Sequence, residues 1–315
     1  MNTSIRIGTR NSPLALWQAE KVQAQFTALG HTSELVSISS EGDRFIDVPF
    51  HEMNAVGIFT RALIQAMLSG EVDIAVHSLK DLPTILPDEI ALTGCLERGN
   101  PRDILVYKGS DAFLHDSKIN TTIATGSLRR QAFWKNYYPH HHLATLRGNI
   151  NTRLQKLIQN DWNGSIFSQA GLERIGLLEQ LADHNLKYIT LDWMIPAPAQ
   201  GVIAVTVLKK DKDILRMCDA WSYMPTRDAV IMEREFLNKL EGGCTAPIGA
   251  YTFFKEGKIH FNGALLSPDG KRKVEKYEIT PNFDRSGAHY AQEILEHGGR
   301  EILQDIRAYS EQKIL

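Results

Sequence analysis

From its start to about residue 210 the chain alternates short β-branched runs with stretches of helical periodicity, and no other feature constrains its fold so strongly. Segment 4–10 reads as a strand, 14–29 as a helix that stops near Gly30, and 32–39 as a strand. Segment 57–69 reads as a helix closed by Gly70, and 72–77 as another strand. This alternation specifies an α/β domain with a largely parallel sheet. A second set follows RGNPRD (98–103): strand 121–125, helix 128–137, strand 142–146, helix 150–160 and strand 165–168. After the Pro-rich IPAPAQG (195–201), strand 202–207 is placed to return the chain to the first domain. The remainder changes character. Helix 227–240 precedes three strands near 248–255, 258–266 and 272–279, with turns at Glu256-Gly257 and Asp269-Gly270, and a final helix covers 286–308. The expected organisation is one α/β domain from 1–97 and 198–218, a second from 102–194, and a small α+β domain over 222–315 with a three-stranded antiparallel sheet.

Of the 315 residues, 43% are hydrophobic and 23% charged, enough apolar material for packed cores and too much for a disordered chain. The net charge of -2 supplies no global attraction to nucleic acid or anionic lipid. No apolar run is long enough to span a bilayer, and MNTSIRIGTR lacks the apolar core of a signal peptide, so a cytoplasmic location is expected. The 3 cysteines, at 95, 218 and 244, form no CxxC and imply neither a disulfide framework nor a thiolate metal site.

The overall charge hides a concentration. Residues 125–174 hold seven basic side chains against two acids. Arg10 ends a strand just before Ser12-Pro13, a helix cap followed by Pro at the first helical position. In TGSLRR, Ser127 caps a helix with Arg129 and Arg130 in its first turn; in LRGNINTR, Arg147 ends a strand, Asn149 caps, and Arg153 lies in the first turn. Arg174 follows a strand and a turn. Basic residues in a first turn oppose the helix dipole. Repeated at equivalent strand ends, where sheets of this kind bind ligands, they point to an anion site. Taken singly, each reads as well as a solvated arginine or a structural ion pair. GxxxxGK[ST] and GxGxxG are absent from these turns, and arginine with Ser or Thr suits carboxylates as well as phosphates. Their number calls for a ligand with many negative groups.

Two further stretches carry chemistry. In VDIAVHSLKDLP (72–83), Asp81 at a strand end beside a basic cleft could face a cationic reaction centre, or could be a turn residue before Leu82-Pro83. His77 reads as packed, and His140-His141-His142 as a solvated turn. In EGGCTAPIG (241–249), two glycines before Cys244 place the thiol on a tight loop, either half-buried at the entry to a strand or exposed and used.

IGTRNSPLALWQA, DIAVHSLKDLP, ATGSLRRQ, LRGNINTRL, AGLERIGL, PAPAQG and LEGGCTAPIGAY occur in the order and spacing of the porphobilinogen deaminases, and the chain resembles that family over nearly its whole length. The resemblance implies two α/β domains like those of periplasmic binding proteins, a third domain presenting a cysteine to the cleft between them, and a monomer. It implies a dipyrromethane cofactor in thioether linkage to Cys244. The implied reaction condenses four porphobilinogen molecules, with loss of ammonia, into linear hydroxymethylbilane. Every pyrrole bears an acetate and a propionate, which supplies the polyanion the arginines require. By resemblance, Asp81 contacts pyrrole N–H groups and stabilises positive charge developing on the ring, a contribution of roughly a thousandfold in rate. Arg10, Arg129, Arg130, Arg147, Arg153 and Arg174 match positions that bind substrate or cofactor carboxylates. Ser12, Lys80 and Ser127 match supporting contacts, Gln200 lies in the matching hinge, and Phe59 could pack on a pyrrole ring.

The chain departs from the common family pattern in three places. NAVG (54–57), with Glu52 and Val56, stands where a Gly- and Lys-rich loop is frequent; EGD (41–43) replaces RGD; PAPAQG replaces PAVGQG. The first two lower positive charge over the cleft. Two other functions share part of the pattern. A carboxylate-binding α/β protein without turnover, or a paralogue of altered activity, would keep the α/β pair. A nucleic-acid binder would use the arginines on phosphate and Phe133, Trp134, Tyr137 and Tyr138 as stacking platforms.

Overall fold

The computed structural model describes residues 4–39, 58–241, 246–281 and 285–312. The first sheet is built from β1 (Ile5–Thr9), β2 (Ser33–Ser37), β3 (Ile74–Ser78), β4 (Ile90–Cys95) and β10 (Ile203–Leu208), in the order β2-β1-β3-β10-β4. The second uses β5 (Asp103–Lys108), β6 (Thr122–Ala124), β7 (His142–Ala144), β8 (Gly164–Ser168) and β9 (Leu186–Thr190), in the order β7-β6-β8-β5-β9. Pairing is parallel except around one strand in each sheet, β10 and β5, which run antiparallel to both neighbours. Those two strands each directly follow a passage between the sheets. The chain leaves the first sheet through 96–102 and returns through 191–202, so strand 202–207 does rejoin the first sheet as expected. The two passages pair with each other: Leu96 N–H donates to Ile203 O and Gly99 N–H to Gly201 O, both at 3.0 Å. Gly201 is required there, with φ +84 and Gly99 O only 2.8 Å from where a Cβ would stand.

Helix α1 (Pro13–Ala28) shows how local sequence sets each element. Ser12 Oγ accepts from Ala15 N–H at 3.3 Å, and Pro13 sits in the first turn. Gln18, Ala19, Val22 and Phe26 form its buried stripe. It ends when His31 N–H reaches Phe26 O and Gly30 N–H reaches Thr27 O, with Gly30 at φ +80. Helix α2 (Ile58–Leu68) follows, then α3 (Leu128–Tyr137), capped by Ser127, and α4 (Ile150–Gln159), capped by Asn149, as the sequence predicts. Helix α5 (Gln169–Arg174) and α6 (Lys212–Ala220) complete the α/β part.

The C-terminal part packs α7 (Met224–Lys239) and α8 (Gly287–Ile294) on the antiparallel sheet β11 (Ile248–Lys255), β12 (Lys258–Leu266) and β13 (Lys273–Thr280). Glu256 (φ 52) and Gly257 (φ 68) make the two-residue hairpin predicted between the first two strands. Three expectations change. Helix 227–240 begins at Met224, because Pro225 fits its first turn. Strand 142–146 is only His142–Ala144. The final helix breaks at Leu295–Gly299, where Gly298 takes φ 103, and resumes as α9 (Arg300–Gln312). Among the described residues no helix is long and apolar enough to cross a membrane.

Candidate active site

The C-terminal end of β1, the first turn of α1 and the end of β3 converge on an open pocket whose lining includes Arg10, Ser12, Gln18, His77, Ser78 and Asp81. Asp81 ends a single 3-10 turn, Leu79–Asp81, and is exposed. Ser78, just before that turn, exchanges hydrogen bonds with Gln18 on α1 at 2.8 and 3.1 Å. His77 is buried and shares a 2.8 Å hydrogen bond with Thr206 Oγ1; burial first, then Arg234, push its pKa down to about 3. It is a packed neutral side chain, as the sequence suggests, and not a general base at neutral pH.

Basic groups of the second sheet lie within electrostatic reach of Lys80 and Asp81. Burial pushes Lys80 down to about 8, and its charge is felt by Asp81 on its own loop and by Arg130, Asp103 and Arg129 across the cleft. Arg153, lowered to about 10 by burial, then by Arg130, also feels Asp81 and Arg147. Its Nε donates to Gly148 O at 2.8 Å, which folds the side chain over its own helix N-terminus. Arg147 is half-buried beside it. The structure therefore brings Lys80 and Asp81 from one sheet into electrostatic range of Arg129, Arg130 and Arg153 from the other.

The sequence analysis missed what holds this arrangement. Asp103, the first residue of β5, is fully buried, and Arg129 and Arg130 both pair with it at 2.6 and 2.8 Å. Burial alone would raise its pKa; the two arginines and Gln200 overcome that and hold it below the ordinary carboxylate value. Arg130 also donates to Ile166 O at 2.9 Å, and Arg129 to Ile195 O at 2.8 Å. Gln200, on the return passage, donates to Asp103 at 3.0 Å and Pro101 O at 2.7 Å, while its Oε1 accepts from Lys80 at 3.2 Å. One amide thus joins the Lys80 loop to the arginine pair. The only sequence signal for Asp103 was its position where a polar linker becomes an apolar strand.

Arg174 stands apart from this group. It donates to Gly201 O at 2.5 Å and lies 5.7 Å from the Trp17 ring, so its contacts here tie α5 to α1 and to the return passage. A second buried carboxylate, Glu233 on α7, was also missed. It accepts from Arg98 at 2.6 and 3.1 Å, from Ala199 N–H at 2.6 Å and from Thr252 N–H at 2.7 Å, gathering both passages and β11.

Cys244, the preceding glycines, the 41–43 and 52–57 changes and the Phe59 side chain lie outside the described residues. Cys95 and Cys218 are buried, and burial pushes their thiols up to about 11 and about 12, which leaves them unreactive. The aromatics weighed as stacking platforms mostly form a helix face: Phe133 and Trp134 are buried, and exposed Tyr137 stacks on Trp193 at 4.2 Å. The histidine run is no simple solvated turn, because His141 is buried and stacked on Tyr138. No group of three or more described His, Cys, Asp or Glu residues could hold a metal ion.

The groups gathered here suit carboxylates chemically: the Ser12 hydroxyl, the Lys80 ammonium, and the guanidiniums of Arg10 and Arg153 from the two sheets. The buried Arg129 Nε–H has no hydrogen-bond partner among the described residues. A dipyrromethane bearing four carboxylates fits that set.

Comparison with known proteins agrees with this chemistry. The family described as porphobilinogen deaminase, dipyromethane cofactor binding domain, matches residues 5–216, and the porphobilinogen deaminase C-terminal domain matches 228–296. The chain is 38% identical over 306 residues to a porphobilinogen deaminase of Desulfitobacterium hafniense, covering 96% of this chain and 98% of that one. It is 37% identical over 310 residues to that of Synechococcus elongatus, covering 96% of each. Among solved structures, an ancestral cationic amino acid solute binding protein superposes with TM-score 0.44 at 14% identity, over 71% of this chain and 90% of that one. The periplasmic VFT2 domain of Bordetella pertussis BvgS gives 0.43 at 13%, over 69% and 85%.

Proposed function

The chain belongs to the porphobilinogen deaminase family, and from that premise we propose how its residues carry the reaction. It condenses four porphobilinogen molecules, with loss of ammonia, into hydroxymethylbilane, a hydroxymethylbilane synthase activity in tetrapyrrole synthesis. The single observation that supports the assignment of roles is that the exposed carboxylate Asp81 lies within electrostatic reach of Lys80 and of Arg153 from the opposite sheet, and Lys80 within reach of Arg129 and Arg130.

Cys244 attaches the dipyrromethane, a role supported by the unreactive burial of Cys95 and Cys218. When bound, that group supplies the primer end to which pyrroles are added. Ser12, Lys80, Ser127, Arg129 and Arg130 hold its carboxylates, and Asp81 accepts from its pyrrole N–H groups. Arg10, Arg147 and Arg153 bind the acetate and propionate of incoming substrate, with Arg174 and Gln200 keeping the passages in register and Phe59 offered to the ring. Guanidiniums suit this work because they bind carboxylates two-pronged and keep their charge at any physiological pH. Asp81 acts on the cation: its fixed negative charge lies where pyrrole nitrogen becomes positive as ammonia leaves, and it need not reorganise to do so. The domain limits 1–97 with 198–218, 102–194 and 222–315 belong to the same proposal, supported by the sheet memberships of the strands.

Denaturing intact-mass spectrometry tests it. The wild-type chain should carry an excess equal to two linked pyrroles, and Cys244→Ser should not. Asp81→Asn should keep the excess and lose roughly a hundred- to a thousandfold in kcat. Rapid turnover by Asp81→Asn would remove the electrostatic role, and a wild-type chain that gains no adduct with porphobilinogen would favour a carboxylate-binding protein instead.

A further inference from the structure

Asp81 is exposed, yet its task needs a fixed position. Its orientation must therefore come from the backbone on either side, and that backbone is gripped from another part of the molecule. Val230, Arg234 and Asn238 are spaced four apart on α7 and form one stripe of the helix. Val230 packs in a cluster with Leu79 and Leu82, which bracket the turn. Arg234 donates from Nη1 to Leu82 O at 3.0 Å and from Nη2 to Pro83 O at 2.7 Å. Asn238 Oδ1 accepts from Thr84 Oγ1 at 3.2 Å. Inside the turn, the Leu82 N–H closes on Leu79 O at 3.2 Å, and Pro83 has no N–H to add.

From this we infer that Arg234 is a positioning residue for Asp81, acting through the two carbonyls that follow it. The inference rests on the role given to Asp81 above. A planar guanidinium across two successive carbonyls fixes the peptide planes after the turn, and so the direction in which the Asp81 side chain leaves it. The adjacent Glu233 holds both passages between the sheets, so neighbouring residues of one helix set the passages and the reacting carboxylate together. The turn that carries Asp81 is thereby held by a helix of the C-terminal part, and not only by its own sheet.

The test uses Arg234→Met, which keeps an apolar stem and removes both donors, and Arg234→Lys, which keeps one. In the full-length, cofactor-bearing enzyme, Arg234→Met should lower kcat about ten- to a hundredfold while KM moves less than about threefold, since misplacing a reacting group by a fraction of an ångström is enough for such a loss. Arg234→Lys should recover part of it, and both variants should retain the dipyrromethane mass excess. A double-mutant cycle with Asp81→Glu separates positioning from general destabilisation. If Arg234 acts through Asp81, Arg234→Met costs less than about threefold more in the Asp81→Glu background. Equal losses in both backgrounds, or a wild-type kcat in Arg234→Met, would overturn the inference. Should Arg234→Met fail to fold, Arg234→Lys in the same cycle decides by the same criterion. Wild-type turnover by Asp81→Glu alone would instead overturn the role of Asp81, an outcome visible without any Arg234 variant.

Discussion

Asp103 carries its charge with no exposed surface, between two arginines whose guanidiniums are themselves almost buried. Removing the carboxylate would leave two like charges facing each other in a medium of low dielectric. Asp103→Asn should therefore destabilise the chain by about 3–5 kcal/mol and release Arg129 and Arg130 from their present directions. Urea denaturation checks the first effect, and loss of the dipyrromethane mass excess checks the second. Because its folded pKa lies below the ordinary 3.8, the stability from Asp103 is present above that value and is lost as pH falls through the lower, folded pKa. Lys80 has the opposite pH behaviour. Unfolded, it keeps its proton to about 10.5; folded, burial lets it go at about 8. Between those values the unfolded chain holds the extra proton, so this residue's contribution to stability rises with pH while its attraction for carboxylates falls. The hold on the dipyrromethane carboxylates should accordingly weaken as pH rises through about 8, and Lys80→Arg should move that decline to higher pH; the extra stability of the cofactor-bearing chain over the cofactor-free one, followed by urea denaturation against pH in both backgrounds, measures it. At this scale, the capping serines and Asp81 were legible because capping and strand ends leave local patterns. Asp103, Arg98 and Glu233 were not, since each acts only through partners distant in sequence.

The return passage shows what an element can hold against its own preferences. Ala199 sits at φ 61, a left-handed conformation that costs a non-glycine residue about 1–2 kcal/mol. It is held there by Glu233, which accepts its N–H at 2.6 Å. Family members often have glycine at this position, so this chain carries strain in a segment that joins its two sheets. Ala199→Gly should relieve the strain but add freedom to the unfolded chain, leaving it more stable by up to about 1 kcal/mol. Ala204→Gly, in buried strand β10, should instead cost about 1 kcal/mol, and urea denaturation of the pair distinguishes them. The elements themselves were largely legible. Periodicity located α1, α3 and α4, and the Glu256-Gly257 turn located the first hairpin. Strands β4, β5 and β9 escaped, β5 because Ile104–Tyr107 is a continuous apolar run without the alternation that marks a strand. The break in the final helix escaped because a glycine pair inside a helical pattern does not by itself reveal a positive φ.

On the scale of the molecule, two five-stranded sheets of matching order are joined by paired passages, which α7 braces through Glu233. Arg10 approaches the cleft from one sheet and Arg153 from the other, so their loss should not be equivalent to loss of a single contact. Arg10→Leu and Arg153→Leu should each weaken carboxylate binding and arrest elongation, and mass ladders after incubation with porphobilinogen should show arrest at different chain lengths if the two serve different stages. Identical ladders would argue for one shared carboxylate. Fold class, helix caps, the return of strand 202–207 and the basic character of the cleft follow from the sequence by itself, because each depends on residues near one another in the chain or on repeated local patterns. Only the tertiary structure decided which arginines face a buried carboxylate, that Gln200 joins Lys80 to Asp103, and that α7 grips both the passages and the Asp81 turn. Those facts depend on burial and on distances between residues up to about a hundred and fifty positions apart, where the dielectric is low and a partner's identity sets the energy.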